Sequence, residues 1–410
     1  MIKTDILIIG AGPGGAATAL FLAKKGIKST MVDKATFPRD KICGDALSGK
    51  VVEVLKKFDP ALVSQLQERS EFLGSYGVTF IAPNGEALRV PFRTEINTNN
   101  AAPGFIAKRF DFDNWLIEEV RKYKEITLLE NIELRHFEIS DIGYKTTAKT
   151  GEVFDARLII AADGAYSTFA KEIGGLETEP EHNCFGLRTY YSGVKGLDAQ
   201  NFIELHFLKE FLPGYFWIFP LPNGYANVGV GMRADVLHHR KINLKRDFEQ
   251  LIATHPTLRE RFSHAKRIGE VKLHGLPLGS KKRHLSGDHY MLIGDAAMLI
   301  DPFTGEGIGN AMMSGMIAAA QAEACMATDD YSAKNLKAYD QRVYDRLWSE
   351  LLLSYRMQQL VKYPSLFNFI TKKANSNKTL RDTISAMFED IDLRARLKDP
   401  RFYFKLLFSH

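Results

Sequence analysis

Cysteine is scarce in this sequence, and its scarcity excludes several kinds of stabilisation. The 410 residues contain three cysteines, Cys43, Cys184 and Cys325, which lie far apart and match no zinc-ligand spacing. An odd and sparse set of this kind does not form a disulfide framework. We therefore predict no metal site, and a chain that works in a reducing, cytoplasmic setting.

Long apolar runs are missing as well. No stretch of about 18 or more apolar residues could span a bilayer, and no basic segment followed by an apolar one marks a secretion signal. The net charge of +5 is modest, and the sequence shows neither repeats nor a nucleic-acid motif. Such a basic excess usually reflects a solvated surface, but it can also hold a protein near anionic lipid headgroups. We predict a cytoplasmic protein, with peripheral contact to the inner face of the membrane as the alternative.

The N-terminal segment has the pattern of a β–α–β unit. Residues Asp5–Ile9 form an apolar run that is typical of a strand buried on both faces, and Thr30–Val32 form a second run. Between them, small and apolar residues from Ala16 to Ala23 predict a helix that ends at Gly26. This arrangement is typical of nucleotide-binding α/β folds.

A glycine-rich turn joins the first strand to this helix. It reads Gly10-Ala11-Gly12-Pro13-Gly14-Gly15, which satisfies G-x-G-x-x-G. The first glycine permits the tight turn, the second lets the backbone approach a pyrophosphate, and the third lets helix and strand pack closely. The anion then sits at the positive end of the helix dipole. Asp33 ends the second strand, at the position expected for a ligand of the ribose hydroxyls.

Two later segments favour FAD over NAD, which shares this fingerprint. The segment Ala161–Gly164 follows a buried strand and contains Asp163, and a second segment carries Asp295 at the end of another strand. Carboxylates at strand ends can accept hydrogen bonds from sugar-alcohol hydroxyls. The second segment continues into a glycine-rich helix start, which can stabilise the negative charge that reduced flavin develops at its N1/C2-carbonyl edge. That helix start contains Pro302, Gly305, Gly307 and Ile308.

The rest of the chain indicates a second sheet and a helical tail. Alternating residues with turn signals predict antiparallel strands from Tyr76 to Arg93, and Phe185–Met232 is again rich in β patterns. Further elements are expected as helices at Asp111–Lys122 and Gly307–Met326, strands at Arg157–Ala162 and Met291–Ile293, and amphipathic helices from Tyr331 onward.

We therefore predict the α/β fold class, with a Rossmann-like FAD-binding domain interleaved with an antiparallel β-sheet substrate domain and followed by C-terminal helices. The FAD-binding domain takes segments 1–75, 101–180 and 271–330. The substrate domain takes segments 76–100 and 181–270, and segment 331–410 forms the helical region.

Two further motifs narrow the comparison with known families. They are Lys41-Ile42-Cys43-Gly44 and Gly214-Tyr215-Phe216-Trp217-Ile218-Phe219-Pro220, the latter followed by Asn223–Gly229. With the three nucleotide segments in this order, they make the chain resemble the geranylgeranyl reductase family, which has the p-hydroxybenzoate-hydroxylase-type flavoprotein fold. The resemblance covers roughly residues 1–330. It implies saturation of C=C bonds in prenyl chains, with hydride from reduced flavin.

The resemblance also implies an FAD site at named positions. Its members are Gly14, Asp33, Cys43, Gly44, Ala46, Arg109, Asp295, Gly307 and Ile308. The segments described above add Gly10, Gly12, Gly15, Lys34, Asp163, Gly164, Pro302 and Gly305 to the predicted cofactor-binding set. The sequence departs from the family at Asp45, where a small residue or Glu is expected. It also has Ala170 where related hydroxylases have an arginine, which argues against their way of handling a nicotinamide cofactor.

Cys43 is the candidate proton donor for the reduction of an alkene. An unperturbed thiol has a pKa of about 8.5, so it stays largely protonated near neutrality and can donate. The neighbouring cations Arg39 and Lys41 could instead lower the pKa and produce a thiolate. A small buried residue that only packs against the flavin is the third interpretation.

The candidate substrate residues are Tyr215, Trp217, Phe219 and Pro220. On a strand, residues 215, 217 and 219 point to one face and would form an aromatic wall for an apolar chain. A plain stripe of β-sheet core is the alternative interpretation. The expected substrate is an apolar isoprenoid or lipid.

No second G-x-G-x-x-G motif is present, so electrons must come from transiently docked NAD(P)H or from a ferredoxin-like protein donor. The tail mixes aromatic and basic residues, which can pack on the protein itself or sit at a membrane surface. Two other functions stay open: a flavin-dependent monooxygenase or halogenase on the same fold, and a flavoprotein that only relays electrons or carries lipid.

Overall fold

A computed structural model describes residues 1–93, 101–377 and 380–381 of the chain. In these residues the strands are β1 Ile2–Ile9, β2 Ser29–Val32, β3 Ala46–Leu47, β4 Leu73–Ser75, β5 Gly77–Ile81, β6 Ala87–Pro91, β7 Gly104–Ile106, β8 Ile126–Leu129, β9 Leu134–Ile139, β10 Tyr144–Ala148, β11 Val153–Ala161, β12 Asn183–Ser192, β13 Ile203–His206, β14 Tyr215–Leu221, β15 Tyr225–Arg233, β16 Lys266–Pro277, β17 Ser286–Gly287 and β18 Tyr290–Leu292.

The helices of the described residues lie between these strands or follow them in the chain. They are α1 Pro13–Ala23, α2 Gly49–Phe58, α3 Pro60–Glu68, α4 Arg109–Val120, α5 Thr168–Glu172, α6 Ala234–Arg240, α7 Leu244–Thr254, α8 Pro256–Arg261, α9 Ile308–Thr328, α10 Ala333–Leu360 and α11 Pro364–Ser376. Short 3₁₀ turns occur at Pro180–His182, Lys209–Phe211, Pro222–Gly224 and Gly294–Ala297.

An eight-stranded sheet forms the nucleotide-binding part of the fold. Its main order is β17-β18-β11-β1-β2-β8, and β9 and β10 extend from β11 as an antiparallel branch. The pairs β1–β2, β2–β8, β1–β11 and β11–β18 are parallel. The chain runs outward from β1 in both directions, so a topological switch point lies at the carboxyl end of β1, where such folds bind ligands.

A seven-stranded sheet in the order β16-β12-β15-β14-β13-β5-β6 forms the second layer. Its neighbours are antiparallel except for β13 and β5, which are parallel. Alternation separates its two faces: Phe216 and Ile218 of β14 pack into one core cluster, while Trp217 and Phe219 pack into another. A third sheet, β3-β7-β4, has three strands.

The predicted α/β class with a second, mainly antiparallel sheet and C-terminal helices is confirmed. The helix expected at Asp111–Lys122 is α4, which begins two residues earlier, and the strand expected at Arg157–Ala162 is the end of β11. The helix expected from Gly307 is α9. Sequence analysis missed the helices α2 and α3, and α6–α8 inside the predicted β region. Of the tail expected to be helical from Tyr331, residues 382–410 lie outside the described part.

Small residues let α1 and α9 lie against each other. A Cβ on Gly14 would lie 3.2 Å from the Ala311 carbonyl oxygen, and a Cβ on Gly315 would lie 2.5 Å from the Gly14 carbonyl oxygen. This close packing connects the start of α1 to the start of α9, so both helix N-termini reach the same edge of the first sheet. In the described part of the chain, no helix is long and apolar enough to cross a membrane.

Gly229 of β15 provides a test of how tightly the second sheet is packed. A Cβ there would lie 2.2 Å from the Leu187 carbonyl oxygen and 2.3 Å from Cζ2 of Trp217. Gly229→Ala should therefore lower the free energy of unfolding by about 1–3 kcal/mol through overpacking. Gly231→Ala is the matched control, since its nearest atom, Cζ3 of Trp217, is 3.8 Å away. Thermal unfolding of both variants checks this, and equal midpoints would contradict it.

Candidate functional site

The glycine turn between β1 and α1 leaves no room for side chains. Gly10 has a φ of +99°, and a Cβ there would lie 2.5 Å from the Ala162 carbonyl oxygen. A Cβ on Gly15 would lie 1.9 Å from the carbonyl oxygen of Gly10 itself. The helix therefore approaches the strand closely, as the motif predicts, and its start borders a cavity through Gly12, Pro13 and Gly14, where a helix N-terminus can bind an anion.

Asp33, at the end of β2, holds this turn in place. Its Oδ2 atom accepts a hydrogen bond from the Ala11 N–H at 2.7 Å, and its Oδ1 atom accepts one from the Ala35 N–H at 2.8 Å. Each carboxylate oxygen has a second lone pair, which remains available for a sugar hydroxyl. The next residue, Lys34, is exposed. The structural contact to Ala11 was not part of the sequence prediction, because it depends on where the turn folds back.

Two more carboxylates lie at strand ends on the same side of the sheet. Asp163 is enclosed, and burial raises its pKa to about 6. Its Oδ1 atom is buried and has no hydrogen-bond partner among the described residues. Asp295 forms an ion pair with Lys41 at 3.1 Å. Burial opposes ionisation of Asp295, but the Lys41 ammonium outweighs it and holds the pKa of that carboxyl below its usual value.

Most predicted cofactor-binding residues line one cavity of about 1010 Å³. Those in its lining are Gly12, Gly14, Cys43, Gly44, Ala46, Arg109, Gly164, Asp295, Pro302, Gly305, Gly307 and Ile308. The described residues outside the lining are Gly10, Gly15, Asp33, Lys34 and Asp163. Individual contacts of either group with FAD stay predictions.

An FAD molecule fits these groups on three counts. The turn at Gly10–Gly15 is a cradle that a Cβ would fill, and it opens onto the cavity through Gly12 and Gly14. The unpartnered Asp163 oxygen and the free lone pairs of Asp33 are acceptors for ribose or ribityl hydroxyls. The start of α9 borders the same cavity and presents a helix N-terminus to it.

The predicted aromatic wall lines the other end of this cavity. Tyr215, Trp217 and Phe219 all lie in its lining, as alternation along β14 predicts. The Tyr215 hydroxyl donates to the Thr304 carbonyl, which ties the wall to the loop before α9. Pro220 does not belong with them: it has the opposite parity on the strand and is absent from the lining in the described structure. That part of the predicted substrate set is not supported by the geometry.

One buried amide, that of Asn227 on β15, joins the wall to the cysteine loop. Its Oδ1 atom accepts a hydrogen bond from Trp217 Nε1 at 2.8 Å. Its Nδ2 group donates to the Cys43 carbonyl and to Oδ2 of Asp45, each at 2.8 Å. The segment Asn223–Gly229, noted in the sequence only as a motif, therefore has a physical role. Asn227 fixes the distance between the aromatic wall and the loop that carries the thiol.

Cys43 keeps its proton in this environment. Burial raises the pKa of the thiol, and the Arg109 guanidinium is the main charge acting against that rise. Lys41 contributes less, and Arg39 instead forms an ion pair with Asp113 at 2.9 Å. Arg109 is itself held by Asp113 through two hydrogen bonds of 2.6 Å each. The thiol form therefore prevails over the thiolate that the nearby cations could have produced.

Asp45 is the polar residue of this loop whose role sequence analysis did not identify. It lies in the left-handed region with a φ of +68° and is fully buried in the cavity lining. Its carboxylate accepts hydrogen bonds from the Tyr190 hydroxyl at 2.8 Å and from the Arg109 N–H at 3.3 Å. Burial raises its pKa to about 6. The only signal in the sequence was its departure from the family pattern.

A second set of charges surrounds the loop before α9. Lys50 of α2 donates to Glu350 of α10 at 2.8 Å and to Asn310 at 2.7 Å, and lies 3.8 Å from Glu306. Burial raises the pKa of Glu306, although Lys50 opposes the rise. Glu306 therefore adds little net negative charge beside this helix start, because burial favours its neutral form and the Lys50 ammonium offsets its charge when it is ionised.

The C-terminal helices complete the apolar end of the cavity. Gln358 of α10 donates to the Pro302 carbonyl at 2.6 Å, which anchors α10 beside the loop that precedes α9. Phe367 of α11 packs against Phe207 with ring centroids 4.7 Å apart. Sequence analysis assigned no motif to this region, since no local pattern shows which surface a helix will cover. Its lining residues include Leu353, Met357, Leu360, Leu366, Phe367 and Ile370.

Comparison with known proteins places this site in a family. A family model described as FAD binding domain matches residues 3–350. Digeranylgeranylglycerophospholipid reductase of Thermoplasma volcanium is 30% identical over 352 residues, which cover 83% of this chain and 83% of that protein. A solved geranylgeranyl bacteriochlorophyll reductase-like protein from Thermoplasma acidophilum has a TM-score of 0.78 and 25% identity, over 91% of each chain.

A solved flavin-dependent brominase also shares the architecture. Its TM-score is 0.75 at 19% identity, covering 96% of this chain and 98% of that one, and at this identity the likeness concerns the fold alone. The FAD-binding match and the reductase relative agree with the fold and the glycine turn described above. The chain thus belongs to the FAD binding domain family and, within it, to the geranylgeranyl reductases, which are FAD-dependent oxidoreductases.

Proposed function

We propose that this protein is a reductase that saturates C=C bonds in a prenyl chain of the geranylgeranyl type or a related apolar isoprenoid. The observation that carries the proposal is the single cavity, in which a protonated thiol and an aromatic wall are joined to an FAD cradle. A protein that only relays electrons does not need an aromatic wall for an apolar substrate. The Thermoplasma volcanium relative is named for a digeranylgeranyl lipid, and we propose a substrate of that chemical class here.

The chain's own residues divide the chemistry between them. Bound FAD, once reduced, supplies the hydride. Cys43 is the proposed donor of the proton that the second alkene carbon requires, because its buried thiol stays protonated and lines the cavity. Trp217, fixed by Asn227, orients the chain against the wall. Asp33, Asp163 and the glycine turn are proposed to hold the cofactor.

The apolar end of the cavity explains how a hydrocarbon would bind. The β14 wall and side chains from α10 and α11 together give that end an apolar lining. Transfer of a prenyl chain into such a site gains roughly 0.8 kcal/mol for each buried methylene. A dry site also keeps water away from reactive centres.

The external electron donor is proposed to dock only transiently. The one glycine-rich nucleotide turn of the sequence is the FAD cradle, so NAD(P)H has no second motif of this kind. Either NAD(P)H or a ferredoxin-like protein could deliver electrons. Stopped-flow reduction of the FAD-loaded protein with each donor in turn separates the two.

We also propose peripheral contact between the tail and a membrane surface. Within the described residues, four large apolar side chains are exposed between positions 360 and 369: Leu360, Tyr363, Leu366 and Phe369. Leu360 and Leu366 also border the cavity, so the exposed surface continues into the apolar end of the site. Basic side chains lie in the same region at Lys362, Lys372 and Lys373. Apolar and basic groups together suit an anionic lipid surface.

The first prediction concerns the reaction itself. Protein reduced with dithionite without oxygen should reoxidise on addition of geranylgeranyl diphosphate or a geranylgeranylated lipid, and the product should gain two hydrogens for each saturated bond. Cys43→Ser should slow this by roughly 10²-fold or more, because a serine hydroxyl is a far weaker acid. The control is Cys325→Ser, which changes a buried cysteine remote from the lining.

Other outcomes of the same assay identify other functions. If reoxidation needs oxygen and adds oxygen or halogen to the substrate, the protein is a monooxygenase or halogenase. If no organic substrate changes, it relays electrons. Unchanged turnover in Cys43→Ser would remove the thiol from the proposed mechanism.

A second prediction tests the length of the apolar end. Phe367→Trp adds volume where α11 meets the cavity, so turnover of a twenty-carbon prenyl substrate should fall by roughly tenfold while a ten-carbon analogue is retained. The control Ser365→Trp lies on the exposed side of the same helix. Equal losses for both substrates, measured as kcat/KM, would show that this end does not accommodate the chain.

The third prediction concerns the membrane. Vesicle sedimentation should show binding that rises with the fraction of anionic lipid. Tyr363→Glu with Phe369→Glu should weaken it by roughly tenfold or more, because two half-exposed rings no longer enter the interface. Phe110→Glu with Ile139→Glu removes exposed apolar residues elsewhere and should leave binding unchanged. A wild-type protein that ignores vesicles of every composition would contradict the proposal.

A further inference from the structure

Asp45 has no task in the hydride and proton steps proposed above, yet it is buried at their centre. The groups facing it come from every neighbouring element: Cys43 from its own loop, Arg109 from α4, Arg188 and Tyr190 from β12, and Asn227 from β15. The buried carboxylate accepts hydrogen bonds from the Tyr190 hydroxyl, the Asn227 amide and the backbone N–H of Arg109, which hold it in one orientation. Its backbone lies in the left-handed region, which aspartate tolerates better than most residues.

We propose that Asp45 is a positioning residue that acts through Cys43: it keeps Cys43 in the thiol form and takes up a proton whenever the thiol loses one. The inference rests on the proposed role of Cys43 as proton donor. It names a residue, a partner and a route for the proton that the reaction consumes.

Two opposite charges act on the Cys43 thiol. The Asn227 amide holds Asp45 beside Cys43, since it donates to the Cys43 carbonyl and to Oδ2 of Asp45, each at 2.8 Å. Arg109 favours a thiolate at Cys43, whereas the Asp45 carboxylate disfavours one. Asp113 already binds the Arg109 guanidinium through two hydrogen bonds to one edge, which weakens the effect of its charge on the sulfur. With the carboxylate present, the thiol keeps its proton until the substrate takes it.

The charges around Asp45 change once Cys43 has donated its proton to the substrate. Cys43 is then an anion beside a second buried anion, and two like charges in a low-dielectric site cannot both persist. Asp45 is the neighbour that can relieve this by accepting a proton, because burial already brings its pKa to about 6. Arg109 and Arg188 are cations and cannot do so.

A proton that reaches Asp45 must come from solvent, and Tyr190 offers a path for it. The Tyr190 hydroxyl donates to Asp45 at 2.8 Å, and Tyr190 itself is half-buried. Its ring lies between two cations, with Arg188 Cζ 4.2 Å and Lys108 Nζ 5.4 Å from the ring centroid. A hydroxyl can pass a proton inward by giving its own to the carboxylate and accepting another from water.

The steps balance over one turnover. The S–H bond of Cys43 breaks as a C–H bond forms on the substrate, which leaves a thiolate. Asp45 receives a proton through Tyr190 and becomes neutral. The thiolate then regains a proton from the carboxyl group, and Asp45 returns to its ionised form. One proton from solvent is consumed for each double bond.

Site-specific alkylation of the FAD-loaded protein tests the coupling without measuring turnover. The rate of Cys43 modification by iodoacetamide is followed against pH by peptide mass spectrometry. Asp45→Asn removes the negative charge and should lower the apparent pKa of Cys43, so that alkylation near neutral pH becomes faster by roughly tenfold, as one pKa unit produces. Asp141→Asn, a change of equal charge at an exposed residue outside the cavity lining, should leave the profile in place.

Turnover then tests the supply of protons. In Tyr190→Phe, which keeps the Asp45 charge, a single turnover of pre-reduced enzyme should stay within about twofold of wild type, because Cys43 is already loaded. Steady-state turnover should fall by roughly tenfold or more. An unshifted alkylation profile in Asp45→Asn, or equal losses in both regimes for Tyr190→Phe, would overturn the proposal even if Cys43→Ser is inactive. Conversely, if the Cys43→Ser variant stays active, Cys43 is not the proton donor, but the effect of Asp45 on the alkylation of Cys43 is still measured separately.

Discussion

The arrangement of this site depends on the side-chain amide of Asn227. It is completely buried, and its three hydrogen bonds reach the indole of Trp217, the backbone of Cys43 and the carboxylate of Asp45. These partners belong to two segments of the chain, the strand β14 and the loop that carries both Cys43 and Asp45. A buried polar group that loses its partner costs about 1–3 kcal/mol, so the amide holds wall, thiol loop and acid in one mutual geometry. Gly229, two residues on, lets the indole lie flat against the same strand.

Local rules were enough to predict the cofactor cradle. The strand, the glycine turn, the helix and Asp33 are specified within the first 33 residues by burial, backbone freedom and spacing, and the structure brings them together at the switch point of the sheet. The alternation that placed Tyr215, Trp217 and Phe219 on one face is equally local. It also explains why Pro220 lies apart from them, since a motif read as a string ignores the parity of the strand.

The rest of the site could not be predicted because it is made by contacts distant in sequence. The environment of Asp45 depends on Tyr190 and Asn227, which lie 145 and 182 positions away. The wall of the cavity formed by α10 and α11 carries no motif, since the same amphipathic pattern would suit any apolar surface. The fold itself does not choose a reaction, as its likeness to a brominase shows. What distinguishes this chain is the content of its cavity.

The anchoring of α10 by the hydrogen bond from Gln358 to the Pro302 carbonyl has an evolutionary consequence. The residues proposed to hold the cofactor lie between Gly10 and Ile308, and the helices α10 and α11 that border the apolar part of the cavity follow them in the chain, so this hydrogen bond joins the two regions. The α11 side chains that line the cavity, Leu366, Phe367 and Ile370, lie outside the core cluster of the first sheet, so mutations there can change the cavity without disturbing the dinucleotide fold. Lineages that inherit the same flavin chemistry can thereby diversify towards lipids, quinone side chains or polyenes by remodelling one terminal segment.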